Sequence, residues 1–401
     1  MLRSTDRIQT THAGSLPRTR ELIEANRARE EGAAPAGFTD LLRDQVRALV
    51  ARQLELGLTV VGDGEYGKSM SSPIDYGAWW SYSFQRTAGL ELDENQAWAT
   101  EKVLSSPGDV RLTGFLHRRD RQRFAEAYAD PDSGIMLGKP KAFPAVTGPI
   151  RYTGQDAIAQ DVANLAAALE ATGAPEGFIT SVSPGSASRI TNRYYDTDEE
   201  LLYAWADVLR EEYRAVIDAG LLLQIDDPCI AENYDQIEPE PSVEDYVAFT
   251  RLRVDALNHA LRGLPEDRIR FHLCWGSWHG PHTTDIEMKD IVSTMLRVNA
   301  GAYTFEAGNV RHEHEWRVWD EVELPEGKII APGVVSHATN VVEHPELVAD
   351  RIERFASRVG RENVIASTDC GLGGRIHPQI AYAKLEALAQ GAQIATRRLW
   401  R

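Results

Sequence analysis

Nine short apolar runs recur along the chain: Ile8–Ser15, Thr59–Glu65, Ala145–Ile150, Phe178–Ser183, Leu221–Asp226, Ile269–Trp275, Tyr303–Glu306, Ile329–Val335 and Val364–Cys370. Each has the length and β-rich composition of a strand. Between them apolar residues fall three and four apart, the spacing of amphipathic helices. Leu42, Val46, Leu49, Val50 and Leu54 mark one helix over Leu41–Leu56, with Gly57 where a helix stop is expected. Leu201–Ala219 is a second, opened by Asp198, Glu199 and Glu200. Ile291–Leu296 and Pro345–Val359 follow, the latter with proline at its start and Gly360 just past its end. Strand–helix alternation predicts a parallel sheet with crossover helices.

A (β/α)8 barrel needs eight staves, so one of the nine runs is expected to lie outside it. Phe178–Ser183 is the run to set aside, because Ala174-Pro175-Glu176-Gly177 and Ser183-Pro184-Gly185-Ser186 bracket it with breakers. The aromatic and charged stretch at about 76–133 reads as an accessory helical or hairpin layer. No linker divides the chain, so residues 1–401 are expected to form a single barrel domain.

Polar residues gather at one end of these runs. His12-Ala13-Gly14-Ser15, Asp63-Gly64-Glu65, Thr147-Gly148-Pro149, Asp226-Asp227-Pro228, His272-Leu273-Cys274, Glu306-Ala307-Gly308, His337 and Asp369-Cys370-Gly371 all stand at, or just past, C-terminal ends. Barrel enzymes build their active sites at that face. The net charge of −17 argues against a nucleic-acid backbone as partner. No apolar run reaches the length of a membrane span, and Met1–Thr11 has no secretory apolar core. Three cysteines make no disulfide framework and fit a reducing, cytoplasmic setting.

Two of those cysteines carry the candidate chemistry. His272 and Cys274, two apart on a strand, point to one face, and Cys370 ends another run before a glycine-rich loop. Glu306 ends the run between them. His272, Cys274, Glu306 and Cys370 together make a donor set suited to Zn2+, which stabilises a thiolate near neutral pH. Cys229 lacks such company and reads as packing. His279, His282, His312 and His314 read as structural or substrate-orienting groups, and Trp79, Trp80, Trp275 and Trp278 as packing or a wall for a flat donor.

The motifs Thr11-His12-Ala13-Gly14-Ser15-Leu16-Pro17-Arg18, Gly62-Asp63-Gly64-Glu65, Val146-Thr147-Gly148-Pro149, Gln224-Ile225-Asp226-Asp227-Pro228, His272-Leu273-Cys274, Phe305-Glu306, Gly333-Val334-Val335-Ser336-His337 and Asp369-Cys370-Gly371-Leu372 resemble, in order, the catalytic barrel of cobalamin-independent methionine synthase. Cys274–His282 and Arg311–Trp316 look like a short-chain branch that includes epoxyalkane:coenzyme M transferase-like proteins. The resemblance implies a UROD/MetE-like TIM barrel with zinc on His272, Cys274, Glu306 and Cys370. It implies that Ser15, Glu65 and Asp226 hold the far end of a thiol substrate, and that His337 relays a proton to the departing group. Against the family pattern, the chain has no N-terminal barrel-like half, and about 176–195 reads as an insertion carrying Arg189 and Arg193 toward the site.

The expected activity is transfer of a methyl or alkyl group to a small thiol, homocysteine above all. The donor is a folate, a methylcorrinoid protein or an epoxide, and homo-oligomerisation stays open. Thiol addition to an epoxide is the alternative, and a non-catalytic zinc or corrinoid-binding module the second. A metal-free porphyrinogen decarboxylase has no use for His272, Cys274 and Cys370 together.

Overall fold

The computed structural model describes residues 1–33, 35–72, 77–135 and 142–401. Its strands are β1 (Gln9–Thr10), β2 (Val60–Gly62), β3 (Thr87–Leu92), β4 (Pro144–Tyr152), β5 (Glu176–Val182), β6 (Thr191–Asn192), β7 (Leu222–Asp227), β8 (Ile269–Leu273), β9 (Ala302–Phe305), β10 (Ile329–Val335) and β11 (Ile365–Thr368). Eight form one sheet in the order β1-β11-β10-β9-β8-β7-β5-β2. Every pairing in it is parallel. Its two ends meet: Thr59 N donates to Thr10 O at 3.0 Å, and Thr10 N to Thr59 Oγ1 at 2.9 Å. The sheet is thus a nearly closed barrel, with helices between successive staves. Staves buried on both faces explain why the sequence shows continuous apolar runs rather than alternation.

The stave set differs from the expectation at two places. Glu176–Val182 is a barrel stave, buried along its whole length and paired to β2 and β7. Its bracketing breakers are helix ends. Gly173 closes the helix Gln155–Thr172 at φ 70°, and Ser183 caps the short helix Pro184–Ala187. The expected insertion at 176–195 therefore begins inside the barrel.

The run outside it is β4, which pairs antiparallel with β3 and parallel with β6 in a side sheet. The second half of β4 alternates in burial, as a strand with one wet face does. Thr147-Gly148-Pro149 thus lies within β4 and not at a stave end. The stretch 77–133 forms the helix Ala78–Gln85, β3 and several short turns of helix. Tyr76, the first residue of the expected accessory layer, lies outside the described residues.

The helices follow the periodicity closely. Leu41–Leu56 appears as Phe38–Glu55 with Leu42, Val46, Leu49 and Val50 buried. Leu201–Ala219 appears as Asp198–Asp218, capped by Thr197, whose side chain accepts from Glu200 N. Ile291–Leu296 appears as Met288–Met295, and Pro345–Val359 has the expected bounds. Among the described residues, no helix is long and apolar enough to cross a membrane.

Candidate active site

Cys274 follows β8 directly, and Cys370 stands two residues past β11; both are buried. Their sulfurs are 3.8 Å apart. Two Zn–S bonds of about 2.3 Å at a tetrahedral angle put two sulfurs about 3.8 Å apart, so the spacing fits a shared ion. A thiol–thiol hydrogen bond has the same reach. That bond favours the thiolate on Cys370 and lowers its pKa, against burial and helped by the Arg375 charge. The same bond, with burial, holds the Cys274 thiol well up.

His272 faces this pair from within β8. Its Nδ1 lies 3.0 Å from Asp226 Oδ1, and its Nε2 lies 3.1 Å from the carbonyl of Asp369, the residue before Cys370. Burial opposes charging, but the Asp226 carboxylate outweighs it and raises His272 to about 9. A carboxylate on Nδ1 is the usual arrangement behind a histidine ligand, but here Nε2 donates its own proton to the Asp369 carbonyl and would have to lose it before it could bind a metal.

Glu306, just past β9, accepts from Trp275 N at 2.9 Å and from Asn309 Nδ2 at 2.8 Å. Burial pushes its carboxyl up to about 7, with the His312 charge pulling against it. Donor atoms of Glu306, His337 and Asp369 also lie within 4.8 Å of one another. This trio shares only Glu306 with the expected set. Its Asp369 is already engaged: Oδ1 accepts from Ala307 N at 2.8 Å and Gly308 N at 2.7 Å, and Oδ2 from Asn309 Nδ2 at 3.2 Å. Asp369 holds the loop after β9, and the soft sulfur pair remains the better zinc donor.

The residues expected to hold the far end of a thiol lie close together as well. A Cβ on Gly14 would stand 3.0 Å from Glu65 Oε1 and 3.9 Å from Asp226 Oδ2, so both carboxylates face one spot that only glycine, here at φ 108°, leaves open. Ser15 Oγ donates to Gly373 O at 3.2 Å, and Leu372 N and Gly373 N donate to Ser15 O. The loop after β1 is thereby stitched to the Cys370 loop.

His337, past β10, is buried, and its Nδ1 has no hydrogen-bond partner among the described residues. Burial, then the nearby Arg375 charge, pushes it well below the usual imidazole range. That shift favours the neutral form, in which a ring nitrogen can accept a proton.

His312, His282, Arg189 and Arg193 have partners within the protein. His312 bridges Glu315 (2.9 Å) and Asp285 (3.2 Å), and His282 shares Asp285 at 3.1 Å. His314 is exposed. Arg189 pairs with Glu232 at 2.9 Å and Arg193 with Asp93 at 2.5 Å, so their charges are matched within the protein. Trp275 and Trp80 are buried, the Trp275 ring tilted against that of His312 with centroids 4.2 Å apart, and Trp80 within an aromatic cluster with Phe84, Trp98 and Phe143. Sequence reasoning passed over Lys68, Asn309 and Arg375. Two carry a faint signal: Lys68 and Asn309 each stand three residues past a site carboxylate.

The family model for the catalytic domain of cobalamin-independent synthase matches residues 185–393. The chain belongs to that family. The matched stretch holds Asp226, His272, Cys274, Glu306, His337 and Cys370, whereas Ser15 and Glu65 precede it. A methionine synthase of Thermococcus kodakarensis is 22% identical over 401 residues, covering 98% of this chain and 95% of its own length. A 2-hydroxypropyl-CoM lyase of Xanthobacter autotrophicus is 23% identical, covering 88% of this chain and 85% of its own length. Among solved structures, a B12-independent methionine synthase from a Shewanella species, in complex with selenomethionine, superposes with a TM-score of 0.68 at 17% identity. The two cover 98% and 99% of each other, a likeness of fold.

Proposed function

We propose that this member of the cobalamin-independent synthase family is a zinc-dependent alkyl transferase acting on a small thiol. The observation that carries the reading is the pair of buried thiols 3.8 Å apart at the C-terminal mouth of the barrel, with His272 on β8 and Glu306 just past the neighbouring β9. Zn2+ on His272, Cys274, Glu306 and Cys370 would supply the positive charge that keeps a substrate thiol deprotonated at neutral pH. Ser15, Glu65 and Asp226 hold the far end of that thiol. His337, neutral at rest, accepts the thiol proton. The sulfur then forms its bond to the donor carbon as the bond from that carbon to nitrogen or oxygen breaks. His337 returns the proton to the departing atom, which closes the balance. Burial of the site keeps water from competing with the thiol.

Methyl transfer to homocysteine is the first reading, supported by the family and by relatives named methionine synthase. Thiol addition to an epoxide is the second. It is favoured by Lys68 beside Glu65 and by the relative named 2-hydroxypropyl-CoM lyase. All three thiols are free, which fits the reducing cytoplasm.

Metal analysis followed by zinc K-edge spectroscopy tests the proposal. The protein is expected to bind one zinc and to gain a sulfur neighbour with homocysteine or coenzyme M; Cys370→Ala is expected to lose the metal. Full zinc occupancy in Cys370→Ala would refute the ligand set. A sulfur count unmoved by either thiol would point to a structural site.

A further inference from the structure

His337 stands two residues past β10, at the start of a loop with no regular secondary structure. Residues 338–342 are exposed, whereas His337 before them and Glu343 after them are buried. Polar contacts hold this loop. Glu343 Oε1 accepts from Ser336 N at 2.7 Å, and Ser336 Oγ accepts from Ala338 N at 3.0 Å. The backbone is thereby pinned on both sides of His337. The other Glu343 oxygen, Oε2, receives Lys384 Nζ at 2.9 Å, and the same ammonium donates to Val341 O at 2.6 Å.

Lys384 lies on the helix Pro378–Leu399 and is fully buried. Taking an ammonium and a carboxylate out of water is costly, and apolar side chains of similar volume fill such a space at least as well. An apolar pair would supply neither the acceptor for Ser336 N nor the donor for Val341 O. The charged pair therefore serves the shape of the loop more than the packing beneath it.

That shape bears on the step read for His337. Donor atoms of His337 and Glu306 lie within 4.8 Å of one another, so the ring faces the barrel mouth. Its Nδ1 makes no hydrogen bond among the described residues, which leaves more of its placing to the backbone. A proton passes only within hydrogen-bond reach. A misplacement of about 1 Å can slow a step about a hundredfold.

We propose that the buried Lys384–Glu343 pair positions His337 for proton transfer, acting through Ser336 N and Val341 O and touching no reacting atom. The inference rests on the thiol-transfer reading above and adds two positioning residues to it.

The test separates proton delivery from alkylation. When a thiolate opens propylene oxide, the S–C bond forms and the C–O bond breaks. The electron pair stays on an oxygen that takes its proton from His337. With iodomethane the S–C bond forms and iodide leaves with its electron pair, needing no proton. Zinc-loaded protein is given whichever of homocysteine and coenzyme M brings its sulfur to zinc. Mass spectrometry reads the rate of thioether formation with each reagent.

The wild type is expected to accelerate both reactions over the free thiol. Lys384→Met is expected to slow the epoxide reaction at least about tenfold and the iodomethane reaction less than about twofold. The double variant Glu343→Met/Lys384→Met leaves no unpaired buried charge and is expected to fold and show the same split. Hydrogen exchange on the metal-free double variant should quicken at Ser336 and Ala338 and stay unmoved along β8.

Equal slowing of both reagents, or of neither, in a folded, zinc-replete variant overturns the inference. So does unmoved exchange at Ser336, a double variant that does not fold, or a wild type that accelerates only one reagent. Each of these leaves the thiol-transfer reading standing. Absence of either thiol from the zinc, or of acceleration with both reagents, overturns that reading and the inference with it.

Discussion

Cys370 and Asp369 are neighbours with different work. Cys370 meets Cys274 at 3.8 Å, while Asp369 gathers two backbone N–H groups and Asn309 to shape the loop carrying Glu306. The cysteines were legible because few residue types bind a soft metal and the chain has only three of them. Asp369 and Lys68 act through hydrogen bonds to residues distant in sequence, and acidic and basic side chains are too common for their type to single them out. His312 shows how such contacts tune a residue. Burial lowers its pKa, but Asp285 and Glu315 outweigh it and raise the group from 6.5 to about 10. A pKa raised on folding adds stability that is fully present below about pH 6.5 and is lost as pH climbs through about 10. The difference in urea midpoint between wild type and His312→Gln should therefore be largest near pH 6 and shrink as pH approaches 10. A difference constant across that window would rule out the charged imidazole.

At the scale of elements, helix bounds were more legible than stave identity. The helix Pro345–Val359 has a proline start and a glycine stop, both local backbone effects that need no partner. Glu176–Val182 shares its flanking breakers with a loop, and only pairing to β2 and β7 distinguishes the two. The cap at Thr197 gives a local prediction: Thr197→Ala should cost about 1 kcal/mol by chemical denaturation, because Glu200 N loses its acceptor. Gly391, in the helix Pro378–Leu399 packed on Pro345–Val359, gives a test between two effects. In an isolated helix, Gly→Ala gains about 1 kcal/mol. Here the new Cβ would stand 2.4 Å from Val348 Cγ1 and 2.9 Å from Pro345 O, and overpacking costs about 1–3 kcal/mol. Gly391→Ala should therefore destabilise the protein, and a rise in its urea midpoint would show that the two helices yield easily.

Across the whole molecule, barrel closure depends on few bonds. β1 is two residues long, and the seam to β2 is carried by Thr59, whose Oγ1 accepts from Thr10 N at 2.9 Å and donates to Thr10 O at 3.1 Å. Thr11 adds a bond from Oγ1 to Val60 O at 3.0 Å. Thr59→Val removes two of these bonds and should cost about 1–2 kcal/mol. Hydrogen exchange should quicken at Thr10 ahead of the staves opposite, and uniform quickening would mean that the seam is no weaker than the rest. The site spans this seam, since Ser15 follows β1 and Glu65 follows β2, so a loosened seam is also expected to weaken thiol binding more than zinc binding.

The order of apolar runs, the helix starts and stops, the clustering of polar residues at run ends and the two cysteines that meet at the barrel mouth were all determined by the chain itself. Each is a local pattern or a rare residue type. Which nine-minus-one runs became staves, which oxygens of Glu65 and Asp226 are already engaged, and the burial that lowers the His337 pKa were decided only by tertiary structure. Strand pairing, desolvation and charge pairing depend on distances between residues far apart in sequence, and those distances exist only once the barrel has closed.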